Sequence, residues 1–157
     1  MRLLFVCLGN ICRSPTGEGV MRHLLREEGL EEAVEIDSAG TGDWHVGHSP
    51  DERATLAARG RGIELAGAAR QVTPDDFETY DLILAMDRSN HADLLAMAPG
   101  DDARERVKLL REYDPEAGDD LDVPDPYYGA DDGFAEVLDI VTRSCEALLD
   151  EVRAQVA

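Results

Sequence analysis

The stretch Cys-Leu-Gly-Asn-Ile-Cys-Arg-Ser, residues 7–14, lies between a short apolar segment and a proline, Pro15. Residues 2–6 have the mostly apolar composition of a buried central strand, and Ser14 before Pro15 is typical of a helix N-cap and first helical turn. Backbone N–H groups at a helix amino end lack intrahelical partners, and the helix dipole adds partial positive charge there. The sequence therefore predicts an anion-binding loop between the carboxyl end of a strand and the amino end of a helix.

The side chains of this loop favour a tetrahedral oxyanion, and phosphate above all. Gly9 permits a tight turn or a positive φ, Asn10 tolerates left-handed geometry, and Arg13 can bind two phosphate oxygens through its planar guanidinium. Asn10 is expected to hold the shape of the loop by hydrogen bonds rather than to contact the substrate. The predicted phosphate-binding residues are Leu8, Gly9, Asn10, Ile11, Cys12, Arg13 and Ser14.

Cys7 makes the loop a candidate for covalent chemistry. A thiol at a helix amino end beside an arginine ionises more readily than a free cysteine, and a thiolate is a competent nucleophile. The alternative is that Cys7 is a small buried core residue, which is the common situation of free cysteines. The coincidence of Cys7, Gly9 and Arg13 at a strand end, where α/β sheets bind ligands, favours the nucleophile.

Length and composition indicate one domain, residues 1–157, with a substantial core, since 43% of the residues are hydrophobic. The formal charge of −19 argues against nucleic acid and anionic membrane surfaces as partners. The apolar start, residues 3–8, is too short for a secretory signal and no segment approaches membrane-spanning length, so a cytoplasmic protein is expected. The three cysteines have spacings uninformative for zinc, and we expect reduced thiols.

Strand-like and helix-like segments alternate along the chain. Strands are predicted at 2–6, 34–37, 82–85 and 107–110, and helices at 14–29, 50–59 and 87–97, with a short helix after the Thr-Pro-Asp-Asp segment at 73–76. The last helix is the clearest, because it carries an apolar stripe on one face: Phe134, Val137, Leu138, Val141, Cys145, Leu148, Leu149 and Val152. The alternation predicts an α/β domain with a mainly parallel sheet, without fixing the strand order.

Five motifs, in order along nearly the whole chain, make this sequence resemble the low-molecular-weight protein tyrosine phosphatase family. They are Cys-x5-Arg-Ser at 7–14, Ser-Ala-Gly-Thr at 38–41, Ala-Arg-Gln at 69–71, Met-Asp-x-Ser-Asn at 86–90 and Asp-Pro-Tyr-Tyr at 125–128. The resemblance implies a flavodoxin-like (phosphotyrosine phosphatase I-like) α/β fold, in which four parallel strands carry helices on both faces. It also implies hydrolysis of protein phosphotyrosine and small aryl phosphates through a cysteinyl-phosphate intermediate, with inorganic phosphate as product. We expect the enzyme to be a monomer.

Asp125 is the expected general acid. Attack of Cys7 on phosphorus leaves a tyrosine oxygen that needs a proton, and a positioned carboxylic acid is its natural donor. Eleven acidic residues and no Lys or Arg occupy 112–142, so spacing alone does not single out Asp125. The match to Asp-Pro-Tyr-Tyr assigns the role to Asp125, and the flanking Pro124 and Pro126 stiffen its loop.

Arg13 and Ser14 are expected to assist the reacting groups. Arg13 would neutralise the charge that spreads onto the phosphoryl oxygens in the transition state, which the point charge of a lysine cannot do in a fixed plane. Ser14 is predicted to cap the helix. By resemblance to the family, its hydroxyl also donates a hydrogen bond to the sulfur of Cys7, which would stabilise both the attacking and the departing thiolate.

Aromatic residues are expected to form the walls of the site. By resemblance, Tyr127 and Tyr128 line the entrance where the substrate ring stacks. Trp44 lies among polar residues after a glycine-containing loop and is predicted to form the facing wall, while the alternative is a buried structural tryptophan. The four histidines have no metal-ligand spacing with cysteines or carboxylates, so neither a metal nor another cofactor is expected.

Cys12 lies five residues after Cys7, so a loop that wraps around an anion can bring the two thiols together. By resemblance, Cys7 and Cys12 form a reversible disulfide that protects the nucleophile from over-oxidation. The alternative is that Cys12 only packs the loop. Gly67 stands where the family often carries a histidine before Ala-Arg-Gln, which leaves open how Asn10 is supported.

Three other functions are considered as alternatives. An arsenate reductase-like enzyme would share the loop and the fold but needs two further cysteines near a mobile central loop, where neither Cys12 nor Cys145 lies. A protein-arginine phosphatase differs, by resemblance, in carrying threonine at the position of Ile11, so Ile11 favours phosphotyrosine. A non-catalytic phosphocysteine relay module would need the thiol and the anion loop but neither Asp125 nor an aromatic wall.

Overall fold

The central sheet places Cys7 at its carboxyl edge. The computed structural model describes residues 1–127, 129 and 132–157, and the strands within these ranges are β1 (Arg2–Cys7), β2 (Glu35–Gly40), β3 (Leu82–Ala85) and β4 (Val107–Leu109). All neighbouring strands are parallel, and their order across the four-stranded sheet is β2-β1-β3-β4. The predicted four-stranded parallel sheet is therefore confirmed, and the strand order is now known.

Helices connect the strands and cover both faces of the sheet, as the resemblance implied. They are α1 (Arg13–Glu27), α2 (Glu52–Arg59), α3 (Asp76–Thr79), α4 (Arg88–Met97), α5 (Asp101–Glu105) and α6 (Asp132–Val156), with a 3₁₀ turn at Leu110–Glu112. The helix predicted at 50–59 begins at Glu52, because Asp51 is its N-cap and the Asp51 carboxylate accepts a hydrogen bond from the Arg53 backbone N–H at 2.8 Å.

Alternate residues of β1 supply two hydrophobic layers. Leu3 and Phe5 pack in the layer that includes residues of α1 and α6, whereas Leu4 and Val6 pack in the layer that includes residues of α3 and α4. All four side chains are fully buried. Burial of each such side chain contributes about 1.5–3 kcal/mol, so β1 is a firmly held base for the loop that follows it.

The apolar stripe predicted for the last helix is confirmed in α6. Val141, Cys145, Leu148 and Val152 are all fully buried, and α6 packs against α1. Burial raises the pKa of the Cys145 thiol, so this cysteine is an uncharged core residue at neutral pH. Cys145 is therefore a core residue and not part of the anion loop.

Two glycines let the amino half of α1 lie close to its neighbours. A Cβ at Gly17 would lie 2.6 Å from Cδ1 of Phe5, and a Cβ at Gly19 would lie 2.5 Å from Cδ2 of Leu65. Both distances are too short for a side chain, so the glycines permit close packing that a larger residue would prevent. This packing fixes the start of α1 against β1, which is where the anion loop lies.

Candidate active site

The loop between β1 and α1 curls back on itself at the carboxyl edge of the sheet. Gly40, at the end of β2, allows this close approach, because a Cβ there would lie 2.7 Å from the carbonyl oxygen of Leu8. The backbone of the next turn is bonded to the loop, since Thr41 N–H donates to Cys7 O at 2.9 Å and Gly42 N–H donates to Leu8 O at 2.9 Å. The ends of β1 and β2 thus hold the loop from one side.

The loop forms the floor of a cavity of about 390 Å³. The residues that line the cavity come from the loop, from the segment after β2 and from the segment before α6: Cys7, Leu8, Gly9, Ile11, Cys12, Arg13, Trp44, His45, Asp125 and Tyr127. Three segments that are distant in the sequence therefore meet around the Cys7 sulfur. Such a concave site with convergent polar groups at a strand end is the usual form of a ligand-binding site in an α/β protein.

The sulfur of Cys7 has two hydrogen-bonding neighbours. Cys7 is 3% exposed, its Sγ lies 3.0 Å from Oγ of Ser14, and it accepts a hydrogen bond from the backbone N–H of Asn10 at 3.3 Å. Nδ2 of Asn10 also donates to Oγ of Ser14 at 2.8 Å. The Ser14 proton has two acceptors within reach, the Cys7 sulfur at 3.0 Å and the Ala39 carbonyl oxygen at 3.5 Å. Donated to the nearer sulfur, it would stabilise a thiolate.

Asn10 is the residue that holds the loop in shape. Its φ is 55°, the left-handed conformation that the sequence analysis allowed for, and it is 3% exposed. Besides its bond to Ser14, Nδ2 donates to Oγ of Ser38 at 3.0 Å, and Oδ1 accepts from the Arg70 backbone N–H at 3.0 Å. Gly67 stands at the position where the resemblance led us to expect a histidine, and a Cβ there would meet open space. Asn10 is supported instead by its contacts with Ser14, Ser38 and the Arg70 backbone.

One local prediction for the loop is wrong, and the structure decides another. The positive φ that the sequence allowed at Gly9 or Asn10 belongs to Asn10; Gly9 leaves room for His45, because a Cβ at Gly9 would lie 3.0 Å from Cδ2 of His45. Ser14 does not cap the helix, since α1 begins at Arg13, the cap position is Cys12, and no side chain caps it. The Ser14 hydroxyl is instead engaged by Asn10 and Cys7, so the first backbone N–H groups of α1 remain available for an anion.

Arg13 is buried and fixed from behind. The residue is 2% exposed, and its Nη1 donates to Oδ2 of Asp87 at 2.6 Å and to the carbonyl oxygen of Val123 at 2.9 Å. Burial alone would lower the pKa of Arg13, but the neighbouring Cys7 and Asp87 outweigh it and raise the pKa. The guanidinium is therefore a permanent positive charge with a fixed orientation beside the Cys7 sulfur.

Asp125 faces the same cavity from the opposite side. Its Oδ2 lies 3.6 Å from Nη2 of Arg13, and its side chain is 39% exposed. Oδ1 accepts a hydrogen bond from the backbone N–H of Tyr127 at 3.1 Å, which turns the carboxyl group toward its own loop. The structure thus brings together Cys7, Arg13 and Asp125, although Asp125 is more than a hundred residues from the other two in the sequence.

Aromatic side chains stand at the entrance. Trp44 is 68% exposed and lines the cavity, so it is not the buried structural tryptophan of the alternative. Tyr127 lines the cavity too, while Tyr128 lies outside the described residues. His45, which the sequence analysis did not select, also lines the cavity and contacts the Tyr127 ring edge-on, with 5.7 Å between ring centroids. His45 therefore adds to the predicted wall, of which Trp44 and Tyr127 line the cavity.

Cys12 is a neutral thiol next to the nucleophile. It is 4% exposed and lines the same cavity as Cys7. Burial raises the pKa of Cys12 to about 12, and the nearby charges of Asp51, Cys7 and Asp125 add to the effect. All three cysteines are unbridged in the structure.

Asp87 and Ser38 are functional positions that the sequence analysis did not assign. Asp87 follows β3 and caps α4 through Oδ1, which accepts from Asn90 N–H at 2.7 Å, while Oδ2 orients Arg13. The rule that ligand sites lie at the carboxyl ends of parallel strands could have selected both residues. Among the described residues, no group of three His, Cys, Asp or Glu side chains is placed to hold a metal ion.

Comparisons with known proteins point to one family over nearly the whole chain. The family model described as low molecular weight phosphotyrosine protein phosphatase matches residues 2–157. The chain is 47% identical to a low molecular weight protein-tyrosine-phosphatase of Streptomyces coelicolor, with 99% of this chain and 95% of the relative covered. It is 45% identical to a low molecular weight phosphotyrosine protein phosphatase of Sus scrofa, with 96% and 95% covered.

A solved structure shares the whole fold. The crystal structure of a protein tyrosine phosphatase from Entamoeba histolytica, with Hepes in the active site, superimposes with a TM-score of 0.94 at 37% sequence identity. The alignment covers 99% of this chain and 98% of that one. In the part of this chain that the structure describes, none of the helices combines the length and apolar character that a membrane crossing requires.

Proposed function

Because the chain belongs to the low molecular weight phosphotyrosine protein phosphatase family and is a cysteine-dependent protein-tyrosine phosphatase, we propose that Cys7, Arg13 and Asp125 carry its reaction. The substrates are proteins that contain phosphotyrosine, small aryl phosphates are also hydrolysed, and inorganic phosphate is a product. The observation that carries the assignment is the meeting of a buried thiol, a buried guanidinium and a carboxyl group around one cavity.

In the first step the sulfur of Cys7 attacks phosphorus. The new S–P bond forms as the P–O bond to tyrosine breaks, and the carboxylic acid of Asp125 gives its proton to the leaving oxygen. Arg13 and the N–H groups at the start of α1 bind the equatorial phosphoryl oxygens, whose charge they offset in the transition state. Asp87 and Val123 keep Arg13 oriented while it does so.

In the second step water hydrolyses the cysteinyl phosphate. The Asp125 carboxylate takes a proton from the attacking water, the P–O bond forms, and the S–P bond breaks to return the thiolate of Cys7. The hydroxyl of Ser14, 3.0 Å from the sulfur, stabilises that thiolate as it departs. The same sulfur environment therefore serves the attack and the release.

The shape of the cavity supports an aryl phosphate as substrate. Trp44, His45 and Tyr127 surround its entrance, so a tyrosine ring can pack against rings while its phosphate reaches Arg13. The alternative of a protein-arginine phosphatase is not favoured, because Ile11 rather than threonine lines the floor. An arsenate reductase would need two further cysteines near a mobile central loop. Cys145 cannot be one of them, because it is buried in the core.

Trapping of the intermediate distinguishes this function from a phosphocysteine relay module. Wild-type enzyme mixed with p-nitrophenyl phosphate and quenched in acid should carry a phosphoryl group on Cys7 and should release phosphate continuously. Cys7→Ala, which has no nucleophilic group at this position, should do neither. Turnover that survives Cys7→Ala would refute the mechanism, and a phosphorylated wild type that never releases phosphate would indicate the relay.

We also propose that the enzyme is a cytoplasmic monomer whose 157 residues form one phosphatase domain. A reducing compartment suits a reaction that depends on a free thiol. Cys12 is proposed as the redox partner of Cys7, because both thiols are buried in the lining of one cavity. The net charge of −19 supports the prediction that the protein binds neither nucleic acid nor anionic membranes.

A further inference from the structure

The loop that carries Asp125 is held at both of its ends. At its start, Val123 N–H donates to Met86 O at 2.7 Å, and Val123 O accepts from Nη1 of Arg13 at 2.9 Å. At its end, the carbonyl oxygen of Tyr127 accepts a hydrogen bond from Nη2 of Arg53 at 2.9 Å. The start of the loop is thus bonded to the site that binds phosphate, and its end is bonded to a residue of α2.

Arg53 is itself firmly placed. Its Nε donates to Oδ1 of Asp51 at 3.2 Å, and its Nη2 donates to Oδ2 at 3.2 Å, so the two planar groups face each other. The guanidinium carbon lies 4.7 Å from the ring centroid of Phe134 and 5.7 Å from that of Tyr127. Burial alone would raise the pKa of Asp51, but the hydrogen bonds from Arg53 outweigh it and lower the pKa.

Asp51 connects this pair to the phosphate loop. Its backbone N–H donates to the carbonyl oxygen of Ile11 at 2.7 Å, and its side chain caps α2. A continuous series of contacts therefore leads from Ile11 through Asp51 and Arg53 to Tyr127, and from Tyr127 N–H to Oδ1 of Asp125 at 3.1 Å. This path joins the floor of the cavity to the carboxyl group on its opposite side without passing through Arg13.

We propose that Arg53 is a positioning residue, which sets the place of the Asp125 carboxyl group by holding the Tyr127 peptide against the phosphate loop. The inference rests on the proposed function, in which Asp125 is the general acid. Proton transfer requires the acid to lie within hydrogen-bond reach of the leaving oxygen, and small displacements of a reacting group cost large factors in rate. Arg53 suits the role because its planar group can bind Asp51 and Tyr127 at once and stack on Phe134.

The role has a specific kinetic signature. A substrate with a good leaving group, such as p-nitrophenyl phosphate, depends little on the acid, whereas phenyl phosphate depends on it strongly. Arg53→Met keeps the aliphatic part of the side chain against Phe134 and removes the donors. We expect it to lower kcat/KM for phenyl phosphate by about tenfold and for p-nitrophenyl phosphate by less than about threefold. Arg53→Lys should lie between wild type and Arg53→Met.

Arg59→Met is the matched control. Arg59 lies on the same helix, its side chain is 57% exposed, and it pairs with Glu64 at 3.6 Å, away from the cavity. It should leave the ratio of the two kcat/KM values at the wild-type level. The thermal midpoint of every variant is measured alongside, so that a loss of folded protein, which lowers both values equally, is separated from a change in their ratio.

The double variant Arg53→Met with Asp125→Asn tests whether Arg53 acts through Asp125. If Arg53 acts through Asp125, Asp125→Asn alone should change the ratio, and adding Arg53→Met should change it no further. A ratio that Arg53→Met leaves at the wild-type value, or an effect of full size in the Asp125→Asn background, would overturn the proposed role. If Asp125→Asn itself leaves the ratio unchanged, the assignment of the general acid fails, which is a different result.

Discussion

Nη2 of Arg13 lies 3.6 Å from Oδ2 of Asp125, while Nη1 of the same guanidinium is held by Asp87 at 2.6 Å. Nη1 of Arg13 is thus hydrogen-bonded to other parts of the fold, and Nη2 is turned toward the cavity. A phosphoryl group bound to Nη2 would thus lie beside the carboxyl group that is to protonate its leaving oxygen. This arrangement makes charge neutralisation and proton donation parts of one compact site.

Ser14→Ala should slow the release of the thiolate from the cysteinyl phosphate. The Ser14 hydroxyl lies 3.0 Å from the Cys7 sulfur, and a hydrogen bond to a charged group is worth about 1.5–3 kcal/mol. We expect kcat to fall by about tenfold to a hundredfold, with a larger burst of p-nitrophenol in stopped-flow measurements, because breakdown of the intermediate becomes slower. Thr16→Ala is the control, since that hydroxyl donates to Cys12 O at 2.7 Å and not to the sulfur. An unchanged kcat in Ser14→Ala would contradict the role.

Cys12→Ser should make oxidative inactivation irreversible. Peroxide oxidises the Cys7 thiolate to a sulfenic acid, which condenses with the Cys12 thiol to form a disulfide and water. Wild-type enzyme should therefore recover most of its activity after treatment with peroxide and then dithiothreitol, whereas Cys12→Ser should recover progressively less as exposure lengthens. Each variant is compared with its own untreated activity, and Cys145→Ala, which alters only a core thiol, should recover like wild type. Equal recovery by Cys12→Ser would refute the redox pair.

Phosphotyrosine peptides with acidic residues beside the phosphotyrosine should be poor substrates at low salt. The protein has a net charge of −19, and eleven acidic residues lie in 112–142, the segment that contains Asp125. Repulsion between like charges slows association and is screened by salt, with a Debye length of about 10 Å at 0.1 M. We expect kcat/KM to increase from acidic to neutral to basic peptides, and the spread to narrow as salt is added. Equal values across the set at low salt would rule this out.

The sequence was sufficient to predict the elements whose causes are local. The apolar β1, the helix α2 and the apolar stripe of α6 each depend on contiguous residues, and the structure confirms them, although α2 begins at Glu52 after an Asp51 cap that was not predicted. The alternation of strands and helices predicted the mainly parallel sheet, and the family resemblance added its flavodoxin-like arrangement with helices on both faces. Residues that meet at the carboxyl edge of the sheet could be predicted when they belong to a sequence motif, as Cys7 and Arg13 do.

The remainder depends on contacts between distant residues. Ser14 has the sequence pattern of a helix cap, but Asn10 and Cys7 engage its hydroxyl, and only the folded loop reveals that competition. Asp87 orients Arg13 across a gap of 74 residues, and Arg53 reaches Tyr127 across another 74. A single sequence does not indicate such partners, because each of these residues has an ordinary surface role as an alternative.

Asp114 should stabilise the fold by an amount that depends on pH. Its side chain is fully buried and accepts hydrogen bonds from Arg111 and Arg143 at 3.2 Å. Burial alone would raise the pKa of Asp114, but the bonds from Arg143, Glu116 N–H and Arg111 outweigh it and lower the pKa. The contribution is therefore fully present above the unfolded-state pKa, about 3.9, and is lost as the pH falls toward the lower folded-state pKa.

Asp114→Asn should thus lower the free energy of unfolding at pH 7 by about 3 kcal/mol, since it leaves two arginines without their buried partner. Urea unfolding of wild type and variant between pH 7 and pH 3 measures the difference. It should remain constant down to about pH 5 and shrink below about pH 4. A difference that does not change with pH would show that the carboxylate charge is not the cause.

The pH dependence of kcat/KM for phenyl phosphate, in wild type and Asp125→Asn, tests the general acid most directly. A general acid must be protonated to act, so the wild-type rate should fall at high pH as the acid ionises. Asp125→Asn should have a lower maximal rate and should lose this high-pH decline, while the low-pH limb remains. If Asp125→Asn keeps the wild-type decline at high pH, Asp125 is not the general acid. The account of a site in which Asp125 faces Cys7 and Arg13 across the cavity would then be contradicted.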